Sequence, residues 1–99
     1  MNQIELLFKD KGVLRRNVNV YPKQIAIDFI NECRKHNIGI WGIDAFIIKE
    51  NFHQPSMNNS IDFTASPFKQ EKPENVWDTA IAFLRERDDV YYYEIVCEQ

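Results

Sequence analysis

The chain has few of the residues that form covalent or metal-held frameworks. Only two cysteines occur among its 99 residues, Cys33 and Cys97, and they lie far apart in the sequence. A structural zinc site needs about four Cys or His ligands at close spacing, and no such group is present. The sequence therefore predicts no metal site, no disulfide framework and two buried free thiols, as is usual in a reducing cytosol.

Long apolar runs are also absent from the sequence. No run approaches the roughly 20 residues that span a bilayer, and residues 1–5 lack the basic and apolar segments of a secretory signal. Hydrophobic residues make up 44% and charged residues 27%, which are ordinary globular values and do not favour disorder. We therefore expect one cytoplasmic domain over residues 1–99, with little room for a deep active site beside its core.

The sequence lacks the common catalytic motifs. With only three glycines it has no phosphate-binding loop, and it contains neither a Gly-x-Ser-x-Gly elbow nor a His-Glu-x-x-His pair. His53 together with Asp44 or Asp62 would be the best general acid–base group, but no spacing requires it. We therefore predict that the protein is not an enzyme and has no catalytic residue and no cofactor. An enzyme with a pocket that joins His53 to Asp44 or Asp62 is a distant third hypothesis.

The net charge of −3 is unevenly distributed. Residues 1–50 carry eight Lys/Arg and six Asp/Glu, whereas residues 51–99 carry four Lys/Arg and nine Asp/Glu. An acidic half disfavours nucleic acid and anionic membranes as partners and suits a basic protein. An ordinary solvated acidic surface explains the charge equally well.

Two segments have the apolar periodicity of amphipathic helices. The first covers residues 22–36 and begins at Pro22, whose missing N–H is tolerated in a first helical turn. The second covers residues 74–86 and follows Pro73 in the same way. Their apolar stripes consist of Ile25, Ala26, Phe29, Ile30 and Cys33 in the first helix and Val76, Trp77, Ala80, Ile81 and Leu84 in the second.

Three segments predict β-strands. Residues 39–49 are β-branched and aromatic and follow a helix end, residues 61–64 predict a short returning strand, and residues 90–97 predict a final strand. The stretches 51–60 and 65–73 are rich in Asn, Ser or Pro and predict loops.

The predicted fold is α+β, with two main helices packed on one face of a small antiparallel three-stranded sheet. A short N-terminal helix that ends near Gly12 is added, because Ile4, Leu7 and Phe8 have helical spacing, although a strand also fits this segment. The residues expected to form the core are Phe29, Trp41, Ile43, Trp77 and Ile81.

With both helices on one side, nothing is predicted to cover the other face of the sheet. Alternation places Asp44, Phe46 and Ile48 on one face of their strand and Tyr92, Glu94 and Val96 on one face of theirs. A long apolar sheet face on a small monomer usually meets a partner. The candidate partner-binding residues are Asp44, Phe46, Asp62, Tyr92 and Glu94.

Two of these candidates have an alternative explanation. Asp44 interrupts an apolar strand, where a carboxylate is costly unless it is paired. It either anchors a nearby loop or helix start, or meets a basic residue of a partner. Tyr92 either packs on the sheet or serves as an interface anchor, since tyrosine is enriched at binding hot spots.

The order of segments along the chain resembles a known family. Gly12-Val13 is followed by the helix 23–36, by the strand sequence Trp41-Gly42-Ile43-Asp44-Ala45-Phe46, by Gln54-Pro55-Ser56 and Ile61-Asp62, and by a second helix and the strand Tyr91-Tyr92-Tyr93-Glu94-Ile95-Val96. This order is similar to the bacterial immunity protein 40 family of polymorphic toxin systems.

The resemblance implies a small cytosolic antidote that neutralises a cognate toxin domain by binding it. It spans most of the chain, but its motifs are short, and no binding residue of the family is transferred here. The alternative is a small regulatory adaptor or a homodimer that uses the same sheet face. The sequence does not name the toxin.

Overall fold

The computed structural model describes residues 1–49, 52–65 and 73–99, with the side chains of 52, 53 and 73–75 left out of the description. The elements along the chain are α1 (Gln3–Leu7), β1 (Val13–Arg15), β2 (Val18–Pro22), α2 (Lys23–Lys35), β3 (Ile40–Lys49), β4 (Phe52–Asp62), α3 (Pro73–Arg85) and β5 (Tyr92–Cys97). Most of the predicted loop 65–73 lies outside the described residues.

The strands form one antiparallel sheet with the order β1-β2-β5-β3-β4. The predicted three-stranded sheet is therefore wrong, because the described residues form five strands. Helices α2 and α3 pack against each other, α2 also contacts β2 and β5, and α3 contacts β3. The result is an α+β fold of two layers, in which both long helices lie on the same face of the sheet.

The first missed pair of strands is the hairpin of β1 and β2. Arg15 pairs with Val18 across a two-residue turn, in which Arg16 and Asn17 have φ angles of 49° and 66°. A tight hairpin turn with two left-handed residues is usually signalled by glycine at its second position. The turn sequence Arg-Asn lacks this glycine, so the sequence does not predict the two strands.

The N-terminal helix is shorter than predicted. Helix α1 begins at an Asn2 cap, whose side chain accepts hydrogen bonds from the backbone N–H groups of Ile4 and Glu5, and it ends at Leu7 rather than near Gly12. A Cβ atom on Gly12 would lie 2.6 Å from the carbonyl oxygen of Val20. Gly12 therefore permits the close approach of β2 and does not terminate the helix.

The second missed strand is most of β4. Its Asn- and Ser-rich sequence predicts a loop, yet Pro55 pairs with Phe46 and Asp62 pairs with Gly42 in the antiparallel ladder with β3. Pairing with an apolar central strand overrides the weak local preference. Pro55 is compatible with this position because β4 is at the edge of the sheet.

The core lies between the sheet and the two long helices. Phe29, Ile43 and Trp77 are buried there, as predicted, and so is Ile81. The indole Nε1 of Trp77 donates a hydrogen bond to the carbonyl oxygen of Ile38 at 2.7 Å, which satisfies its polar group inside the core.

Trp41 is the exception, because 49% of its surface is exposed. The prediction that it is a core residue is wrong. Along β3, Ile40 pairs with Cys97 and Gly42 pairs with the adjacent Val96, so Trp41 is an extra residue between two consecutive pairs. Such a β-bulge breaks the alternation of side chains. Ile40 is buried in the core instead.

Candidate functional site

The sheet face opposite α2 and α3 is the open face of the molecule. It displays cross-strand rows of side chains from β3, β4 and β5, all exposed or half-buried. The open face consists of Trp41, Asp44, Phe46, Pro55, Asp62, Tyr92, Glu94 and Val96. All five predicted partner-binding residues are in this set.

The rows follow directly from the strand pairing. Phe46 lies between Pro55 on β4 and Tyr92 on β5, which makes one apolar row across three strands. Asp44 lies directly opposite Glu94 in the next row. The open face therefore has an apolar row, with two aromatic residues, beside a row of carboxylates.

Asp44 and Glu94 are like charges in directly opposed positions, an arrangement that destabilises a sheet. Neither carboxylate has a hydrogen bond or an ion pair with any residue that the structure describes. Partial burial raises the pKa of Asp44, and the negative charge of Asp62 raises it further. Partial burial also raises the pKa of Glu94, with smaller contributions from Asp44 and Glu5. Partial burial and the neighbouring negative charges therefore make ionisation of both carboxyls more costly than in water.

Asp62 has a local structural role that Asp44 lacks. Its Oδ1 atom accepts a hydrogen bond from the backbone N–H of Thr64 at 2.9 Å and from the hydroxyl of Thr64 at 2.6 Å. These bonds lower the pKa of Asp62 and hold the turn that follows β4. The loop-anchoring role considered for Asp44 therefore belongs to Asp62.

A wide bulge in β4 projects beside this carboxylate row. Ile43 pairs with Ile61 but Ala45 pairs with Ser56, so residues 57–60 are excluded from the ladder. The hydroxyl of Ser60 accepts the N–H of Ala45 at 2.9 Å and donates to the carbonyl oxygen of Ser56 at 2.7 Å. Ser60 thereby replaces the missing ladder contacts and fixes the shape of the bulge.

The bulge forms one wall of a shallow cleft of about 420 Å³. Trp41, Asp44, Met57 and Asp62 line it, and Met57 is 80% exposed. A larger groove of about 670 Å³ lies toward α1 and the β1–β2 hairpin, and Glu94 contributes to its lining. The open face thus has a cleft at one end and continues into a groove at the other.

The strand pairing separates the backbone of His53 from that of Asp44. His53 pairs with Ile48 through the backbone, and Ile48 lies four residues along β3 from Asp44. At about 3.3 Å per residue this is a separation of roughly 13 Å. The side chain of His53 lies outside the description.

The described residues contain neither a cluster of metal ligands nor a helix able to span a membrane. No group of three or more His, Cys, Asp or Glu side chains within residues 1–49, 52–65 and 73–99 is arranged to hold a metal ion. Over the same residues, no helix has the length and apolar character needed to cross a membrane.

Sequence reasoning missed Trp41, Met57 and the bulge that brings them together. The available signal was Gly42, since an isolated glycine in a strand marks a bulge or a close backbone approach. A Cβ atom at this position would lie 3.0 Å from the carbonyl oxygen of Ile61. Nothing in the sequence around Met57 predicts that residues 57–60 form a bulge within a strand.

Comparison of the chain with protein-family models, with curated proteins and with solved structures finds no significant match.

Proposed function

We propose that this protein binds another protein through the open face of its sheet, and that it acts in the bacterial cytoplasm as an immunity protein that neutralises a cognate toxin domain. The observation that carries the proposal is the apolar row of Pro55, Phe46 and Tyr92 beside Asp44 and Glu94, which have no described ion pair. The proposal that the partner is a toxin domain rests on the resemblance in segment order.

The apolar part of the open face supports a binding role. Helices α2 and α3 bury the other face of the sheet, but no described element covers Tyr92 and Val96. Trp41 adds apolar surface on the other side of the carboxylate row, with about half of its area exposed. Exposed apolar groups of this kind on a small protein favour an interaction site, and Trp and Tyr are enriched among binding hot spots.

The carboxylates indicate what kind of partner fits. Asp44 and Glu94 repel each other in the free protein and have no described counter-charge. A basic partner would neutralise both, and the overall charge of −3 would accelerate its approach. The aromatic residues then supply affinity, and the carboxylates supply speed and specificity.

An adaptor or homodimer would use the same surface, but charge disfavours self-association. A dimer through the open face places one acidic face against another, and juxtaposed like charges are costly at an interface. The prediction of this alternative is a dimer that strengthens when the carboxylates are protonated.

The experiment is coexpression with the toxin domain encoded beside this gene. The toxin domain alone arrests growth of the host, and the intact protein restores it. Tyr92→Ala should lose most of this rescue. Leu7→Ala should retain it, because Leu7 is also an exposed apolar residue, 55% exposed, but lies beside α2 and away from the open face. Failure of the intact protein to restore growth would reject the antidote function.

A further inference from the structure

The cleft beside the β4 bulge combines two kinds of wall that recognise the same chemical group. One wall is aromatic and polarisable, formed by the half-exposed indole of Trp41 and by Met57. The other wall carries the carboxylates of Asp44 and Asp62. The cleft has a volume of about 420 Å³, at the lower end of the range for ligand pockets. This size suits one side chain rather than a folded element.

The two carboxylates are placed to act together. Asp62 pairs with Gly42, so it is the diagonal neighbour of Asp44 across two strands, a separation of about 7 Å. One oxygen of Asp62 accepts the hydrogen bonds from Thr64, and its other oxygen has no described partner. Asp44 has no described partner at either oxygen.

The cations with described ion pairs lie elsewhere on the molecule. Lys23 pairs with Asp89, Arg34 with Asp78, and Lys35 with Glu32. All three pairs belong to the helices and to the turn before β5. Within the described residues, no Lys or Arg forms an ion pair with Asp44 or Asp62.

A guanidinium group fits these walls better than other cations do. It is planar, it stacks on an indole face, and its five N–H donors bridge separate carboxylates. We infer that the cleft binds an arginine side chain, stacked on Trp41 and hydrogen-bonded to Asp44 and Asp62. Resting on the proposed function, we assign this arginine to the surface of the basic protein partner.

The two tryptophans provide a reporter and an internal control for a test by ¹H–¹⁵N NMR. The Trp41 indole lies in the cleft, whereas the Trp77 indole is buried and bonded to Ile38. The probe is N-acetyl-L-arginine amide, and N-acetyl-L-citrulline amide is its uncharged isostere. We expect the arginine probe to shift the Trp41 indole resonance with an affinity of roughly 1 mM or weaker. The Trp77 resonance should not move.

Matched variants locate the charge that is responsible. Asp44→Asn should weaken binding of the arginine probe by about threefold, the loss expected for one exposed ion pair. Asp28→Asn, which makes the same change on an exposed position of α2, should leave it unchanged. Equal shifts with the citrulline probe, or equal affinity for N-acetyl-L-lysine amide, would overturn the inference.

The outcomes separate this inference from the function on which it rests. If the Trp41 resonance does not shift with the arginine probe but the protein still rescues growth, the arginine site is rejected. The antidote function is then unaffected. A Trp41 resonance that responds to arginine, in a protein that fails to rescue growth, supports the cleft as an arginine site and rejects the toxin as its source.

Discussion

Asp44 and Glu94 lie directly opposite each other on the adjacent central strands β3 and β5. Partial burial raises the pKa of both carboxyls, and within the described part of the chain neither has a hydrogen bond or an ion pair. Opposed like charges destabilise a sheet. Their opposition on the face away from α2 and α3 is the electrostatic feature on which the proposed binding role rests.

Removing one of these charges should stabilise the free protein. We expect Asp44→Asn to raise the free energy of unfolding at pH 7 by about 0.5 kcal/mol, within the range for cross-strand pairs. Urea denaturation measures this change, with Asp28→Asn as the control for loss of a surface charge. A decrease in stability would show that Asp44 makes a favourable contact in the folded protein.

The same pair has a defined effect on the pH dependence of stability. Because the folded pKa of Asp44 is raised above its ordinary 3.8, the folded state binds the proton more tightly than the unfolded state does. This contribution to stability is present below the ordinary pKa and is lost as the pH rises through the folded pKa. The advantage of Asp44→Asn over the wild type should therefore shrink when the pH is lowered from 7 to about 3. An advantage that is constant with pH would contradict the electrostatic explanation.

The two tryptophans should respond differently to truncation. Trp77→Ala should cost about 3–5 kcal/mol, because Trp77 is buried and bonded to Ile38. Trp41→Ala should cost less, about 2 kcal/mol, because half of the residue is already exposed in the folded protein. Chemical denaturation of both variants is the measurement. Equal costs would mean that Trp41 belongs to the core after all.

Ser60 should stabilise the β4 bulge through its hydroxyl. Ser60→Ala leaves the N–H of Ala45 without its acceptor and should cost about 1–2 kcal/mol. Ser60→Thr keeps the hydroxyl and should cost less. Hydrogen exchange of the Ala45 amide provides the local readout. Protection that is unchanged in Ser60→Ala would show that the bulge is held by other contacts.

The cysteines should be present as two unreactive thiols. Cys33 and Cys97 are free and buried, and Asn2 donates a hydrogen bond to the sulfur of Cys97 at 3.2 Å. The hydrogen bond with Cys97, together with burial, raises the pKa of the Cys33 thiol. Thiol titration without reductant should find two free groups in urea and almost no reaction in the folded protein. A disulfide between them would contradict the expectation of a reducing compartment.

The sequence predicted the elements whose signals are local and missed those that depend on distant residues. The apolar stripes of α2 and α3 are dense enough to identify both helices, although the structure bounds them at Lys23–Lys35 and Pro73–Arg85. Strand β4 has no such signal, because its pairing with β3 determines its conformation. The hairpin of β1 and β2 was missed because its turn lacks glycine.

The candidate surface was predicted better than the fold that carries it. Period-two alternation alone was enough to group Phe46 with Asp44 and to group Tyr92 with Glu94. Trp41 was assigned to the wrong face, because one extra residue in β3 reverses the alternation beyond it. The cleft depends on two bulges at once: Gly42 signals the one in β3, and nothing around Met57 signals the one in β4.

The charges of the open face should govern the rate of association. Charge reversal in Glu94→Lys should slow binding to the proposed toxin partner and should reduce the salt dependence of that rate. The matched control is Glu86→Lys, an exposed position that directly follows α3. Equal effects from both reversals would indicate steering by net charge alone rather than by this surface.

The most direct test of the binding surface is the dissociation rate of the complex with the proposed toxin partner. Tyr92→Ala and Trp41→Ala should each raise this rate, by about tenfold for every 1.4 kcal/mol of lost contact. Leu7→Ala should leave it unchanged, and circular dichroism should show that all three variants are folded. A dissociation rate that increases in Leu7→Ala but not in Tyr92→Ala or Trp41→Ala would place the binding surface on the helical side and contradict the role of the open face.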